Sequence, residues 1–271
     1  MSDLAWLGRT KLLVGDEGIE KLQNAHVLVV GLGGVGSFAA EFIARSGVGK
    51  MTIVDGDVID PSNRNRQLPA LSTNHGVLKA EIMQERLLAI NPELNLTAIA
   101  EFLSPEAAEK ILSENHFDYV MDCIDSITPK LTLLTTAYKK GLRIVSSMGA
   151  GGKVDPTKLR VADVFETRQC YLASLVRKRL RKEGIHAGIK AVFSLEKHDD
   201  DSLMLTDGSN FKKSAYGTIS YIPAAFGGVC ASVVLRDLLA YPIDMEKRPK
   251  ELARREKKQK EVEAKRKKNA Q

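Results

Sequence analysis

Between Val27 and Gln67 the chain reads VLVVGLGGVGSFAAEFIARSGVGKMTIVDGDVIDPSNRNRQ. Its glycines and polar residues are spaced to hold a nucleotide. The apolar run Val27–Val30 ends in Gly31-x-Gly33-x-x-Gly36. Glycines at those spacings allow a tight turn, close approach of backbone to phosphate, and close packing of a helix on a strand. A helix opening near Gly34 directs its free N–H groups and its dipole at an anion. Asp55 follows 24 residues after Gly31, at the end of a second strand-like run. There its carboxylate can accept hydrogen bonds from ribose hydroxyls.

These features would serve NAD as well as ATP, and three others separate the two. Asp57 and the run Ser62-Asn63-Arg64-Asn65-Arg66-Gln67 come directly afterwards. Arg66 offers a planar fork for phosphate, and Asn63 a carboxamide for a ribose or phosphate oxygen. Lys79 opens the next helical pattern, KAEIMQERLLAINP, as a point charge within reach of phosphates. Asp122-Cys123-Ile124-Asp125-Ser126 falls at the carboxyl end of a fourth strand-like run, where open α/β sheets place ligands. A carboxylate beside a triphosphate is a suitable Mg²⁺ ligand. Taken singly, each of these residues reads as a solvated or capping group. Together at strand ends they favour Mg·ATP poised to react.

The elements that must position them alternate. Strand-like runs at Val27–Val30, Met51–Val54, Leu96–Ala100, Tyr119–Met121 and Arg143–Ser146 are separated by helical patterns near 34–46, 76–90, 104–114 and 128–140. That order predicts an α/β fold with a doubly wound, mostly parallel, Rossmann-like sheet. Beyond about residue 150 the pattern changes to an α+β extension. Leu159–Val164 and Ala191–Glu196 read as strands, Asp199–Ser214 as a polar loop, and Tyr221–Leu239 as a buried helix. Leu172–Lys182 predicts a helix with Leu172, Leu175, Val176 and Leu180 on one face. Arg177, Lys178 and Arg181 point the other way, with Lys182 at the flank and Arg179 near the apolar border. With Arg168, and Lys212-Lys213 as an extension, they form a basic surface suited to a polyanion. The expected division is an ATP-binding domain over 1–150, a substrate-binding extension over 151–240 and a basic tail over 241–271.

The whole-chain charge of +6 hides this distribution. Residues 246–271 hold 12 Lys+Arg against 5 Asp+Glu, a net of +7, which leaves the rest of the chain near −1. Four Glu→Lys/Arg pairs at i,i+4 in the tail, beginning with Glu246–Lys250, each favour a helix by about 0.2–0.5 kcal/mol. With almost no apolar residues the tail is expected to be solvated, as a solubility segment or an RNA contact. No stretch approaches the roughly 20 apolar residues of a membrane helix, and the N-terminus lacks a secretory pattern. Cys123, Cys170 and Cys230 stand apart, as reduced thiols of a cytoplasmic protein. They form no CxxC pair, so no zinc is expected. Cys170 is the candidate for an exposed reactive thiol.

GLGGVGS, VDGDVIDPSNRNRQ, the helix led by Lys79 and ending in INP, and DCIDS closely resemble the ubiquitin-activating-enzyme-like superfamily over about residues 9–150. The resemblance implies ATP-dependent adenylation of a carboxylate. It puts Asp55 on the ribose, Asn63, Arg66 and Lys79 on phosphates, and Asp125 on Mg²⁺. Gly31, Gly33, Gly34, Gly36, Asp57 and Ser126 complete the expected ATP shell. It also implies a homodimer, with Arg9 reaching the partner's ATP. Arg9, Arg66, Lys79 and Asp125 are thus the candidate catalytic set. Asp125-Ser126 is a departure, since sulfur-carrier activators usually have Asp-Asn there.

SSMGAGGKVDP, VRKRLRKEGI and GTISYIPAAFG extend the resemblance, from about Arg9 to Leu239, to the tRNA threonylcarbamoyladenosine dehydratase branch. This implies a tRNA substrate whose threonine carboxylate is adenylated, after which the neighbouring ureido oxygen closes a five-membered ring. Arg168, Arg177, Lys178, Arg181 and Lys182 would then contact RNA. Members of this branch often carry Asp-Pro where this chain has Cys170-Tyr171. The alternative is an adenylyltransferase acting on the C-terminal carboxylate of a ubiquitin-like sulfur carrier. A sulfur-transfer protein is a candidate partner, and a NAD-binding Rossmann protein is the third reading.

Overall fold

In this computed structural model, residues 4–205 and 214–250 are described. The strands nearest the glycine motif are almost wholly buried and mostly apolar rather than alternating, as expected for a parallel sheet covered on both faces. In chain order the main elements are α1 (Gly8–Asn24), β1 (His26–Val30), α2 (Gly36–Arg45), β2 (Lys50–Val54), α3 (Lys79–Ile90), β3 (Asn95–Ile99), α4 (Pro105–Glu114) and β4 (Tyr119–Asp122). They continue as α5 (Ile127–Lys139), β5 (Ile144–Ser147), β6 (Leu159–Asp163), α6 (Tyr171–Lys182), β7 (Lys190–Ser194), β8 (Leu203–Leu205), β9 (Ser214–Tyr216) and α7 (Tyr221–Leu238).

Seven strands form one sheet in the order β3-β2-β1-β4-β5-β7-β6. All neighbours are parallel except β6, which runs antiparallel to β7. The strand order reverses between β1 and β4, the switch point at which doubly wound sheets open a crevice. Register makes that crevice usable. Val30 pairs with Val54 on one side and with Asp122 on the other, so Gly31, Asp55 and Cys123 leave the sheet level with one another.

Two apolar layers cover the sheet. Ala39 and Ile43 of α2, Met83 and Leu87 of α3, and Phe226, Val233 and Val234 of α7 pack on one face. Ile111, Leu112, Leu133, Leu134, Val176 and Leu180 from α4, α5 and α6 pack on the other. Each element expected from the alternation is present within a few residues of its predicted bounds. The chain after residue 150 is woven into the same sheet, because β7 pairs directly with β5.

Four features add to, or depart from, what the alternation led us to expect. α1 carries no strong apolar stripe and is kinked at Gly15, whose φ of 74° is open to glycine. The stretch read as a polar loop from Asp199 contains the hairpin strand β8, paired with β9. α7 has a mean hydropathy of 1.3 over 18 residues, long and apolar enough for a membrane span by composition. Here it lies against α2, and a Cβ on Gly227 would sit 2.6 Å from the Val35 carbonyl oxygen.

The fourth concerns the tail. Glu246 was expected to open a helix with Lys250, but residues 240–249 are not helical. The Glu246 N–H donates to the Val161 carbonyl at 2.7 Å, and its carboxylate takes Arg168 at 2.6 Å. Edge strand β6 captures this segment because it offers unpaired carbonyls and nearby guanidinium groups. The pairs Glu251–Arg255, Glu256–Lys260 and Glu261–Lys265, and Lys212-Lys213, lie outside the described residues.

Candidate active site

The glycine turn is fixed by backbone geometry. Gly31 has a φ of 89°, and its N–H donates to the Val54 carbonyl at 2.8 Å. A Cβ on Gly36 would overlap the Gly31 carbonyl, so the first turn of α2 can close on the strand only with glycine there. Asp55 then ties this turn to β2. Its carboxylate accepts from the Leu32 N–H at 2.6 Å and from the Asp57 N–H at 2.8 Å. Burial raises the Asp55 carboxyl above its usual range, against the opposing pull of the Lys79 charge and the two N–H donors.

Residues 60–67 form a roof over that turn. Asp60 caps a short 3₁₀ turn at Pro61–Asn63, and the Asn63 Oδ1 accepts from the Asp60 N–H at 3.3 Å. Asn63 is buried, so the residue expected to orient the nucleotide also builds the turn. Arg66 Nη1 donates to the Ser62 carbonyl and to Asn65 Oδ1, both at 2.9 Å. Asn65 in turn donates to the Thr218 carbonyl at 2.9 Å, which joins the roof to the segment leading into α7. Gln67 is buried near Gly33, and among the described residues its Oε1 has no hydrogen-bond partner. Beneath the roof, Gly34 faces Pro223 of α7.

Lys79 is buried at the start of α3, with its Nζ 2.9 Å from Asp57 Oδ2. Asp125 is exposed where β4 gives way to α5, and Ser126 Oγ donates to it at 3.4 Å. Gly31, Gly33, Gly34 and Gly36 thus follow β1, Asp55 and Asp57 follow β2 with Lys79 tied to Asp57, Asn63 and Arg66 lie in the roof, and Asp125 and Ser126 follow β4. Arg9 is exposed on α1, and among the described residues no hydrogen bond or ion pair joins it to the glycine turn. No group of three or more His, Cys, Asp or Glu side chains is placed to hold a metal among the described residues.

Two of the cysteines belong to the core. Cys123 follows the fourth strand, as expected. There a hydrogen bond with Cys230 of α7 and burial push its thiol well up. Cys170 was the candidate reactive thiol. It is half-buried, and its Sγ caps α6, accepting from the Ala173 N–H at 3.4 Å.

The basic helix is as amphipathic as its spacing predicts. Ala173, Val176 and Leu180 are buried, while Lys178, Arg179, Arg181 and Lys182 are exposed. Arg181 lies over the Phe165 ring at 5.1 Å. Arg177, expected to point outward with Lys178 and Arg181, is half-buried, because its guanidinium turns back to donate to Thr167 Oγ1 at 2.6 Å. Arg168 departs from the expected outward surface. Its side chain is 13% exposed, paired with Glu246 and set over the Phe193 ring. A lone position before a helix gives no periodicity from which to read its direction.

Two residues of the site were not singled out by sequence reasoning. Asp122 and Lys130 form a wholly buried ion pair under the Asp125 loop. The available signal was a lysine eight residues after Asp122, on a helix whose neighbouring positions are apolar.

The ThiF family model matches residues 8–271. The tRNA threonylcarbamoyladenosine dehydratase of Bacillus subtilis is 39% identical over 238 residues, covering 85% of this chain and 93% of that protein. The crystal structure of E. coli tRNA N6-threonylcarbamoyladenosine dehydratase in complex with ATP superposes with a TM-score of 0.80 at 36% identity, covering 88% of this chain and 96% of that one. The adenylyltransferase and sulfurtransferase UBA4 of Candida glabrata is 33% identical over 167 residues, covering 60% of this chain and 38% of that protein. On the sequence match, the shared sheet and the glycine turn together, this chain belongs to the ThiF family.

Proposed function

We propose that this protein dehydrates threonylcarbamoyladenosine in tRNA to its cyclic form, using ATP to adenylate the threonine carboxylate. One observation carries the reading. The chain is matched over 85–88% of its length by proteins named for that reaction, one of them in complex with ATP, and it carries Asp55, Arg66, Lys79 and Asp125 around the glycine turn, where this reading puts the nucleotide.

In this reaction a carboxylate oxygen attacks the α-phosphorus and pyrophosphate leaves. The ureido group then attacks the acyl carbon, the ring closes, and AMP departs with the carboxylate oxygen. The nucleoside is lighter by one water. Neither step requires a side-chain nucleophile. Both depend on held geometry and neutralised charge, and ring closure is intramolecular. Asp55 holds the ribose, while Asn63, Arg66 and Lys79 hold phosphates over the glycine turn. Asp57 keeps Lys79 in place. A Mg²⁺ ion carried on the phosphates needs only one or two protein carboxylates, and the exposed Asp125 beside Ser126 meets that demand. Such an ion would neutralise phosphate charge.

The exposed Lys178, Arg181 and Lys182, with Arg177 behind them, contact tRNA phosphates in this scheme. About four such contacts give a log–log salt dependence of binding with a slope near −3 to −4. A cytoplasmic location accords with that substrate. The decisive experiment combines purified protein, ATP, Mg²⁺ and modified tRNA, with nucleosides read by mass spectrometry. Loss of one water is expected. An unchanged mass with protein that binds ATP would sink the proposal. Pyrophosphate exchange that required a small protein ending in Gly-Gly and ignored tRNA would favour the sulfur-carrier alternative.

The protein also acts as a homodimer in this proposal, with Arg9 serving the partner's ATP. The supporting observation is on the helix that carries Arg9. Leu12 is 89% exposed and Leu13 is 80% exposed. Adjacent leucines this open to water are better accounted for by a covering surface than by a monomer. Leu12→Glu with Leu13→Glu is expected to halve the mass measured by light scattering and to lower turnover. A dimer that persists in that variant would reject α1 as the contact.

A further inference from the structure

Beneath Asp125 lies a charged cluster that touches no reacting atom. Asp122 ends β4 and Lys130 lies on α5, and both side chains are wholly buried. Lys130 Nζ donates to Asp122 Oδ2 at 2.6 Å and to the Ile124 carbonyl at 2.8 Å. Ser146 Oγ, on β5, donates to the same Oδ2 at 2.5 Å. The other carboxylate oxygen, Oδ1, accepts the Ile124 N–H at 3.1 Å. Ile124 is thus held at both its N–H and its carbonyl, one residue before Asp125. The preceding carbonyl, that of Cys123, sits against Gly31, where a Cβ would approach it to 2.9 Å.

A buried ion pair is a poor way to stabilise a fold. Desolvation takes back most of the attraction, and well-packed apolar replacements are often as stable or more so. Stability therefore does not account for charge at this position, whereas its hydrogen bonds do. We propose that Asp122 and Lys130 are positioning residues, which clamp the Cys123–Ile124 backbone between β5 and the glycine turn so that Asp125 faces the nucleotide phosphates. This rests on the role given above to Asp125, and it adds two residues that act through the main chain.

The test replaces the cluster with apolar groups, Asp122→Leu, Lys130→Met and Ser146→Ala together, beside Lys130→Arg and Asp125→Asn singly. Three quantities are read: thermal unfolding, ATP affinity without metal, and the Mg²⁺ concentration for half-maximal AMP formation with modified tRNA. The triple variant is expected to unfold within a few degrees of the parent and to bind metal-free ATP within about twofold. Its Mg²⁺ requirement should rise tenfold or more, and its turnover should fall on the order of 100-fold, the scale of a 1 Å misplacement. Lys130→Arg keeps the charge but lengthens the reach to Ile124, so it should fold and show a smaller rise in the same direction. If the triple variant does not fold, this single variant decides.

A folded variant with the parent's Mg²⁺ requirement and turnover would overturn the proposal, provided Asp125→Asn shifts that requirement. If Asp125→Asn itself shifts nothing, the reading of Asp125 fails first. The two failures are therefore distinguishable.

Discussion

Lys79→Ala is expected to lower ATP-dependent dehydration by about 10³-fold or more, roughly 4 kcal/mol of transition-state stabilisation, on the scale seen when one preorganised electrostatic group is removed. The reason is the company Lys79 keeps. Its ammonium is buried 2.9 Å from Asp57, and its charge also acts on the buried Asp55. Removing it deletes a cation near the phosphates and leaves two carboxylates facing a polyanion. Burial already raises the Asp55 carboxyl, and without Lys79 that carboxyl rises further, which weakens it as a ribose acceptor. Lys79→Ala with Asp57→Ala removes one of the two stranded carboxylates. This double variant should therefore bind ATP better than the single one, by about tenfold if their coupling is near 1.4 kcal/mol. Calorimetric ATP binding and AMP release with modified tRNA measure both effects. Unchanged ATP affinity in Lys79→Ala would remove this residue from the phosphate site.

Reversing charge on α6 should separate tRNA binding from nucleotide chemistry. Lys178→Glu, Arg181→Glu and Lys182→Glu alter exposed residues and leave the buried Ala173, Val176 and Leu180 in place. The fold should persist. Arg181 is the one of the three with a mapped ring contact, over Phe165, and circular dichroism checks its loss. Affinity for tRNA should fall about 10²–10³-fold at physiological salt, and the log–log salt slope should shrink from near −3.5 to near −1 as roughly three phosphate contacts vanish. ATP affinity should not move, because the residues proposed to hold phosphates lie around the glycine turn and not on α6. A triple variant with the parent's salt slope would show that tRNA docks elsewhere. A variant in which ATP binding falls equally would show that α6 serves the nucleotide site.

Arg168 should not behave like those three, although sequence grouped it with them. Its guanidinium holds Glu246 and lies over Phe193, so it organises the segment that crosses β6. The contrast shows how far periodicity reaches. On a helix of 12 residues, apolar spacing tells which side chains face water, and it did so for Lys178, Arg181 and Lys182. Arg168 lies in an irregular segment before α6, where direction depends on what packs nearby. Glu246 is 78 residues away, so no local pattern could reveal it.

The fold and the glycine turn were legible because their causes are local. Apolar runs specify strands, strands alternating with helices specify a parallel sheet, and glycine is required where a Cβ would strike backbone, as at Gly36. The residue types around Asp55, Arg66, Lys79 and Asp125 likewise carry their chemistry in the sequence. Tertiary structure decided the pairings. It set the level register that brings the ends of β1, β2 and β4 together, and joined Asn65 to Thr218 across 153 residues. It turned Cys170 into a helix cap, and buried Asp122 with Lys130 beneath the loop they clamp. Sequence fixes what each side chain can donate or accept. Only the folded chain decides which partner lies within 3 Å, because distant segments meet through the sheet and not along the chain.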